Sequence, residues 1–484
     1  MMTSLMRRLH RDESGYALVV AILLLSIMMV SLVVALDAGS SAFRESEYGV
    51  RWARTLTIAE AGIDDAIVTL GQDRAATSPC PSGGGATCSD DDGEYQVDWT
   101  SAADGSVTIT STGYYPTLAG AQFDRQIQVL LEPIPSFNYA IFSQNDLEVK
   151  NNEVVNGSIY SSGSVLIKNN TVVCGSVVSA SGTVTIELNT TIVKENAATG
   201  CQDEEANVWA GGSIAADNGV IINGNAMASA PSGTVCDATS DDYSITGGTV
   251  VGQATACGKI TSVATDPQAG VGSTPPAVQT MPGFTFSNNN YPSLTCYPST
   301  GTCGPANTSA TAYSDFNTYK SVNVNAMAGN FAIWQTSPTK DTAIDLEDIY
   351  LTGDLTIITN APIDFGNTGT ISSSVPAELV VISTYVPPDG TSCTTNGGDC
   401  SIYSQNAIVF DNGDDTDLTD GIAGLLYTTG KMSIKNQGSA ADGAIYAGSM
   451  DIKNGYNITY NSRIARVLGF GAGLEPTLWQ ELTT

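Results

Sequence analysis

Four segments of the sequence share one short pattern, and their spacing constrains the fold more than any other feature. Each has an aromatic residue, then small polar residues, then alternating residues that end in Ile or Val followed by Lys-Asn. The segments are FSQNDLEVKNN (142–152), YSSGSVLIKNN (160–170), YTTGKMSIKNQ (427–437) and YAGSMDIKNG (446–455); GTVTIELN (182–189) is a degenerate copy without the lysine. Adjacent copies are 18 or 19 residues apart. A period near 20 residues with β alternation predicts a β-solenoid.

The alternation predicts which side chains face the interior of each coil. We expect one apolar position per copy to stack as an interior ladder: Val149, Ile167, Ile186, Ile434 and Ile452. The asparagines that follow suit turn positions that tolerate the left-handed conformation, and stacked amides can bond to one another.

The lysines of the pattern are predicted to point outward as a second ladder. They are four of only nine lysines in the chain: Lys150, Lys168, Lys435 and Lys453. A column of lysines repels itself unless acidic neighbours such as Glu148 and Asp451 screen it. The ladder is either a simple solvated surface or a surface that binds a partner.

The repeats fall into two blocks, 136–230 and 343–462, separated by a segment without a clear period. That segment, 231–342, contains four cysteines and several prolines, and it predicts a disulfide-pinned insertion that projects from the coils. One β-helix built from both blocks is the favoured arrangement, and two separate domains are the alternative. The tail 463–484 is predicted to cap the last coil.

A second feature, near the N-terminus, predicts a membrane-spanning helix. The 21 residues 16–36 are apolar except for Ser26 and Ser31, which is long enough to cross a bilayer core of about 30 Å. Arg7, Arg8 and Arg11 precede this run and favour a cytoplasmic N-terminus. The small residue Gly15 stands before the apolar run rather than after it, unlike the cleavage site of a secretory signal.

The helical pattern continues beyond the membrane run. No proline interrupts residues 16–70, so we expect one helix of about 55 residues. A Gly/Ser/Asp-rich loop follows, and three strand-like runs are predicted at 94–100, 107–112 and 123–131. Residues 71–135 are therefore expected to form a small antiparallel β-meander.

The N-terminal region resembles type IV prepilin-like proteins, most closely the PilX-like minor pilins. The resemblance rests on the glycine before the apolar run, the aromatic Tyr16 after it, and the segment ARTLTIAEAGIDDAI (53–67), which looks like the family's Ala-Glu-Ala-Gly segment. It covers about the first 130 residues. It implies that a prepilin peptidase cuts after Gly15, that the new N-terminal Tyr16 is methylated, and that the apolar helix stays on the mature protein.

The same resemblance implies partners and a location. The family's major pilins carry a glutamate five residues after the cut, where this chain has Val20, which favours a minor or tip subunit. The implied partners are other pilin subunits, the peptidase and inner-membrane lipid, with a surface or glycan ligand for the β-helix. The protein would lie in the cell membrane and then in an extracellular filament or on the cell surface. The alternative is a single-pass membrane-anchored adhesin or envelope scaffold.

Composition excludes several function classes. The net charge of −30 would repel phosphates, so nucleic acid is not an expected partner. Ten cysteines after a membrane segment indicate an oxidising compartment and local disulfides, although connectivity cannot be deduced from sequence. The favoured pairings are between sequence neighbours: Cys80/Cys88, Cys174/Cys201, Cys236/Cys257, Cys296/Cys303 and Cys393/Cys400.

Candidate chemistry is sparse. The only histidine is His10, in the predicted leader, so histidine-dependent catalysis is excluded for the mature protein. The densest group of oxygen ligands is Asp411, Asp415, Asp417 and Asp420, which predicts either a calcium site or an acidic surface loop. A polysaccharide-active enzyme needs only two carboxylates, but arginines are scarce after Arg125 and an anionic glycan would meet a strongly acidic protein. No enzyme activity is expected.

Together these patterns predict an α+β protein: a long pilin helix with a small antiparallel sheet, followed by a β-solenoid. The predicted organisation is a leader (1–15), a transmembrane and pilin helix (16–70), a β-meander (71–135), β-helix coils (136–230), an insertion (231–342), further coils (343–462) and a C-terminal cap (463–484).

Overall fold

A computed structural model of the 484-residue chain describes most of the protein. The described residues are 3–72, 87–90, 93–101, 106–133, 137–193, 201, 206–291, 293–366, 371–386, 406–410, 421–435, 440–453, 457–461, 463–464, 470 and 474–482. The chain divides into two compact units. We call Met1–Glu132 with Leu474–Thr484 the head unit, and Pro133–Gly473 the solenoid.

The head unit consists of one long helix and a small antiparallel sheet. Helix α1 spans Thr3–Gln72, thirteen residues longer at its N-terminus than predicted, because residues 3–15 are mostly good helix formers without proline. The strands are β1 Thr87–Asp90, β2 Gly93–Ser101, β3 Val107–Tyr115 and β4 Phe123–Pro133, and a 3₁₀ turn spans Leu118–Gly120. Neighbouring strands pair antiparallel from β1 to β4. The predicted meander is thus present, and β1 extends it by one strand.

The C-terminal half of α1 packs on this sheet. Ile58, Ile63 and Leu70 of the helix are buried together with Ile109 and Ile127 of the sheet. Two glycines make the close approach possible. A Cβ at Gly113 would lie 2.7 Å from the Ala59 nitrogen, and a Cβ at Gly62 would lie 2.7 Å from Tyr95 Cδ2. The Ala-Glu-Ala-Gly segment is therefore the part of the helix that touches the sheet.

The solenoid is a stack of short parallel strands, with three strands in a regular coil. In its first half the strands are β5 Ile141–Ser143, β6 Leu147–Val149, β7 Val154–Asn156, β8 Ile159–Ser161, β9 Val165–Ile167, β10 Val172–Cys174, β11 Val177–Ser179, β12 Val184–Ile186, β13 Thr191–Val193, β14 Val208–Ala210, β15 Ile214–Ala216, β16 Ile221–Ile222, β17 Ala226–Ala228, β18 Ile245–Thr246, β19 Thr249–Ala256 and β20 Val263–Ala269. Each strand pairs in parallel with its equivalent one coil away, as β5 pairs with β8 and β8 with β11.

The second half continues the same sheet. Its strands are β21 Thr295–Tyr297, β22 Met327–Ile333, β23 Ile344–Asp345, β24 Ile349–Thr359, β25 Ile363–Asp364, β26 Ile371–Ser373, β27 Ala377–Ser383, β28 Ile408–Phe410, β29 Ile422–Lys435, β30 Ala440–Lys453 and β31 Asn457–Thr459. Two 3₁₀ turns span Asn288–Asn290 and Lys340–Thr342, and helix α2 spans Ala312–Asn323. All 27 strands from β5 to β31 belong to one sheet, so both repeat blocks form a single stack.

The interior ladder is observed as predicted. Ile434 is in register with Ile452, Ile452 with Val149, Val149 with Ile167, and Ile167 with Ile186. All five side chains are buried. The asparagine turns also match expectation: Asn152, Asn170 and Asn189 have φ between 57° and 63°. The side-chain amides of Asn170 and Asn189 each donate a 3.3 Å hydrogen bond to the asparagine one coil before.

The chain enters the stack in the middle. On one face of the solenoid the strands follow the order β21, β22, β24, β27, β29, β30, β5, β8, β11, β14, β17, β19 and β20. The first half therefore winds from β5 to one end, the chain returns to the other end at β21, and the second half winds back until β30 meets β5. Part of 231–342, predicted as an insertion outside the coils, thus lies within the stack as β18, β19, β20, β21 and β22.

The two ends of the stack differ. At the β21–β22 end, α2 covers the interior, and Ala312 and Phe316 are buried against the apolar core. The Phe316 ring contacts the rings of Tyr297 and Phe331. At the β20 end no helix is described over the interior, whose last rung contains Ala264, Ala269 and the partly buried Ile260. A terminal coil needs a polar or small-residue cap for solubility, and each end meets this need differently.

The C-terminal segment 463–484 is predicted to cap the last coil, and for its final strand this prediction is wrong. Strand β32, Leu474–Leu482, joins the head sheet beside β4, giving the order β1-β2-β3-β4-β32. The Thr477 hydroxyl donates to the Leu130 carbonyl oxygen at 3.4 Å. Strand β4 is an edge strand until β32 covers it, which is a sufficient physical reason for the return.

Candidate functional site

The N-terminal half of α1 is a long apolar surface without cover. From residue 18 to 36 its large hydrophobic side chains are between 38% and 72% exposed. Within the described residues, α1 is the one helix long and apolar enough to cross a membrane. Its two serines do not oppose this, because the hydroxyls of Ser26 and Ser31 donate to the carbonyl oxygens of Ile22 and Ile27. Polar groups satisfied inside the helix can enter lipid at low cost.

Between the apolar run and the head sheet, α1 carries a mixed surface. Phe43 is 81% exposed, and Val50 is also exposed. Arg51 donates hydrogen bonds to Glu47 on the same helix and to Gln122, and Tyr48 meets the edge of Phe123 with ring centroids 4.8 Å apart. This part of the helix leaves both apolar and charged groups available for contacts outside the head unit.

A buried arginine joins three elements of the head unit. The Arg125 side chain of β4 is only 5% exposed and forms an ion pair with Glu481 of β32. Its guanidinium carbon lies 3.4 Å from the centroid of the Trp52 ring on α1. Burial lowers the pKa of Arg125, and the negative charge of Glu60 on α1 opposes this shift. The cluster holds the C-terminal strand and the helix to the same sheet.

The predicted processing site lies on α1. Gly15 and Tyr16 are part of one uninterrupted helix that runs from Thr3 through the apolar segment. Val20 belongs to the same helix and is 38% exposed. The sequence signature and the helix coincide, and cleavage itself stays a prediction.

The cysteines pair locally wherever both partners are described. Three of the favoured pairings are disulfides: Cys174–Cys201, Cys236–Cys257 and Cys296–Cys303. Cys88 is also disulfide-bonded. Cys80, Cys393 and Cys400 lie outside the described residues.

The predicted calcium ligands are not described either. Asp411, Asp415, Asp417 and Asp420 all fall in the gap between β28 and β29. In the part of the chain that is described, no three His, Cys, Asp or Glu side chains come together as a metal-binding group. The calcium site therefore stays a prediction.

The lysines of the ladder form ion pairs with Glu148 and Asp451, the two acidic neighbours expected from the sequence. Lys150 lies 3.2 Å from Asp451 and 3.7 Å from Glu148, Lys168 lies 2.6 Å from Glu148, and Lys453 lies 3.0 Å from Asp451. The hydrogen bond with Glu148 raises the pKa of Lys168. Burial would raise the pKa of Asp451, but its bonds with Lys453 and Lys150 outweigh burial and lower it. Alternating charges turn a repulsive column into a stabilising one.

Sequence reasoning missed a second apolar core on the outside of the solenoid. The aromatic residue of each repeat faces outward, and the four stack in register as Tyr427, Tyr446, Phe142 and Tyr160. The Phe142 ring lies 5.0 Å from that of Tyr446 and 4.9 Å from that of Tyr160. All four are buried in one cluster with Phe137 and Phe470, and the irregular segment between β20 and β21 adds Met281, Phe284 and Phe286 to its cover. The recurring aromatic was the signal that such a cover exists.

Known proteins offer no relative from which a function could be assigned. No protein-family profile and no curated protein matches the sequence. Among solved structures, the competence-associated pilin ComZ from Thermus thermophilus aligns at 10% identity over 90% of this chain and 97% of its own, with a TM-score of 0.21. A TM-score this low does not show a shared fold, so the functional proposal rests on this chain's own residues.

Proposed function

We propose that this protein is a pilin-like subunit, of the minor type, that inserts into a filament through α1 and displays the solenoid outside the cell. One observation carries the proposal. A single helix leaves its apolar run at 18–36 exposed and packs residues 58–70 on the head sheet. A helix exposed in this way requires either lipid or neighbouring apolar helices around it.

The sequence around the helix supports the filament over a simple anchor. Gly15 precedes the apolar run, and the leader ahead of it is basic, as the resemblance to prepilins implies. In this proposal a prepilin peptidase cuts after Gly15, Tyr16 becomes the methylated N-terminus, and the helix then leaves the lipid to pack with other pilin subunits. Val20, in place of the acid of major pilins, favours a position at the tip or in a minor site.

Display rather than catalysis is proposed for the solenoid. The chain after residue 10 contains no histidine. The second candidate function is a membrane-anchored adhesin or envelope scaffold. The same exposed helix favours it, but such a protein would keep its leader and would never enter a filament.

Processing at Gly15 distinguishes the two functions. The experiment compares wild type, Gly15→Val and Gly39→Val in the native host by intact mass and N-terminal analysis. Gly39 is the matched control, because it lies on the same helix and a Cβ there meets nothing within 4 Å. We expect wild type and Gly39→Val to begin at Tyr16, and Gly15→Val to keep its leader. A wild-type protein that retains Met1 or Met2 contradicts the filament function.

A further inference from the structure

The solenoid has one coil-to-coil contact unlike all others, which we call the seam. It joins β30 and β31 to β5, β6 and β7, with parallel pairing in three strands. The amides of Gln144, Asn145 and Lys150 donate across it to the carbonyl oxygens of Ala447, Gly448 and Ile452. The partners are about 300 residues apart in sequence, for example 303 for Asn145 and Gly448. Within each half, stacked coils are instead linked by a short connection.

A single extended segment, which we call the strap (residues 273–286), runs along the stack. It starts where the Ser273 hydroxyl meets that of Ser229 beside β17, and ends where the Phe286 ring meets Trp334 beside β22. Nine strand spacings of about 4.8 Å separate these two points, or about 43 Å. Thirteen residues at about 3.3 Å each reach about the same distance. The strap therefore crosses the stack with almost no slack.

The strap is bonded to both sides of the seam. On the first half, the hydroxyl of Tyr160 accepts from the Gln279 amide at 2.5 Å and donates to the Ala277 carbonyl oxygen at 3.2 Å. The Met281 amide also donates to Gln144 Oε1 at 2.8 Å.

On the second half, the hydroxyl of Tyr427 donates to the Pro282 carbonyl oxygen at 2.7 Å. The adjacent strap residues Met281 and Pro282 are thus hydrogen-bonded to opposite halves of the solenoid, Met281 to the first and Pro282 to the second. Met281, Phe284 and Phe286 of the strap also pack against the apolar cluster that contains the aromatic ladder, and this cluster includes side chains from both halves.

We propose that the strap is a lock for the seam, and that releasing the strap lets the two halves part there before either half loses its own coils. The reason is chain entropy. When two coils inside one half separate, the chain that joins them directly still holds them close together. The partners across the seam are 303 residues apart for Asn145 and Gly448, so two folded halves that separate there gain more freedom of relative movement. The strap opposes this by tying both halves through side chains and through a shared apolar cover.

The test removes the two tyrosine hydroxyls and leaves the rings in place. In the full-length protein, Tyr160→Phe with Tyr427→Phe is compared with wild type by hydrogen–deuterium exchange. We expect exchange at the seam amides of Gln144, Asn145 and Lys150 to rise about 25-fold, at roughly fivefold for each lost hydroxyl. Amides inside the first half, such as those of Lys168 and Ala180, are expected to keep their wild-type rates.

Thr359→Val is the matched control. The Thr359 hydroxyl is also buried and also donates and accepts, to Ile333 and from Ala361, but within the second half. It is expected to leave the seam amides unchanged. Gln144→Ala is a milder variant that serves if the double variant folds poorly. It removes one strap hydrogen bond and is expected to raise exchange at the seam amides about fivefold. Seam amides that accelerate no more than those inside each half, in both strap variants, overturn the proposal.

Discussion

The head unit and the solenoid keep their shapes by different means. The head unit depends on a few close contacts that each occur once: the glycine-mediated approach of α1 to β3, and the Arg125 cluster that ties β32 to the sheet. The solenoid depends on columns of equivalent residues that stack in register from one coil to the next. The head unit should therefore fail as a whole after one substitution, whereas the solenoid should fail locally.

The largest effect is expected at the contact between helix and sheet. In Gly113→Val the new side chain would collide with the backbone of α1 near Ala59, which has no flexible end to move aside. We expect the head unit to lose about 4 kcal/mol and to unfold at temperatures where the solenoid survives. Thermal unfolding followed by residue-resolved hydrogen exchange separates the two units.

Gly49→Val is the control for that substitution. Gly49 lies on α1, the helix that Gly113 approaches, and a Cβ at Gly49 would have no atom within 4 Å. It should leave the head unit as stable as wild type. Equal destabilisation of both units by Gly113→Val would show that they do not differ as described.

A smaller and local effect is expected in the interior ladder. Ile167→Ala removes a fully buried side chain between Val149 and Ile186. The expected cost is about 3 kcal/mol, and exchange should increase in β6, β9 and β12 while the head unit is unaffected. Leu166→Ala, one residue earlier and facing outward, should cost less than about 1 kcal/mol. Comparable losses in both variants would argue against the assigned facing of the strand.

The smallest effect is expected in the charged ladder, and it depends on pH. The pKa of Asp451 is lowered in the folded protein, so its ion pairs stabilise the fold above the ordinary value of 3.8 and this contribution disappears as pH falls through the lowered pKa. Asp451→Asn should cost about 1 kcal/mol at pH 7. The difference in unfolding free energy between variant and wild type should shrink as pH falls below 3.8 and through the lowered pKa of Asp451. A difference that does not change with pH would contradict the ion-pair assignment.

Local features of this fold could be predicted from the sequence, and long-range ones could not. The three strands of the meander, the inward facing of each ladder residue and the asparagine turns all follow from residue pattern, because each depends on neighbours within about 20 residues. The stacking order does not follow, because any two copies of one motif are compatible neighbours. Nothing in the motif around Phe142 shows that its partner is Tyr446 rather than Tyr427.

The coils at the β20 end escaped prediction for a different reason. Their interior positions are Ala254 and Ala256 rather than Ile or Val, and Ile214 is 31 residues from its partner Ile245. Both changes hide the period. Strand β32 was missed because a nine-residue segment containing Pro476 has no distinctive pattern, and only the open edge of β4 explains where it lies.

The candidate site divides in the same way. Gly15, Tyr16 and Val20 lie within six residues of one another, so their pattern can be recognised from the sequence alone. The Arg125 cluster joins residues 52, 125 and 481, which are too far apart for any local pattern to connect them. The carboxylates of the lysine ladder were found in advance because each lies two residues from a lysine or one coil away.

The location of the mature protein tests the proposed filament function most directly. Surface filaments sheared from cells would be separated from membranes, and both fractions examined for the solenoid and for its N-terminal residue. We expect the filament fraction to contain the solenoid as part of a chain whose first residue is Tyr16. Recovery only in the membrane fraction, on a chain that still carries its leader, would contradict it.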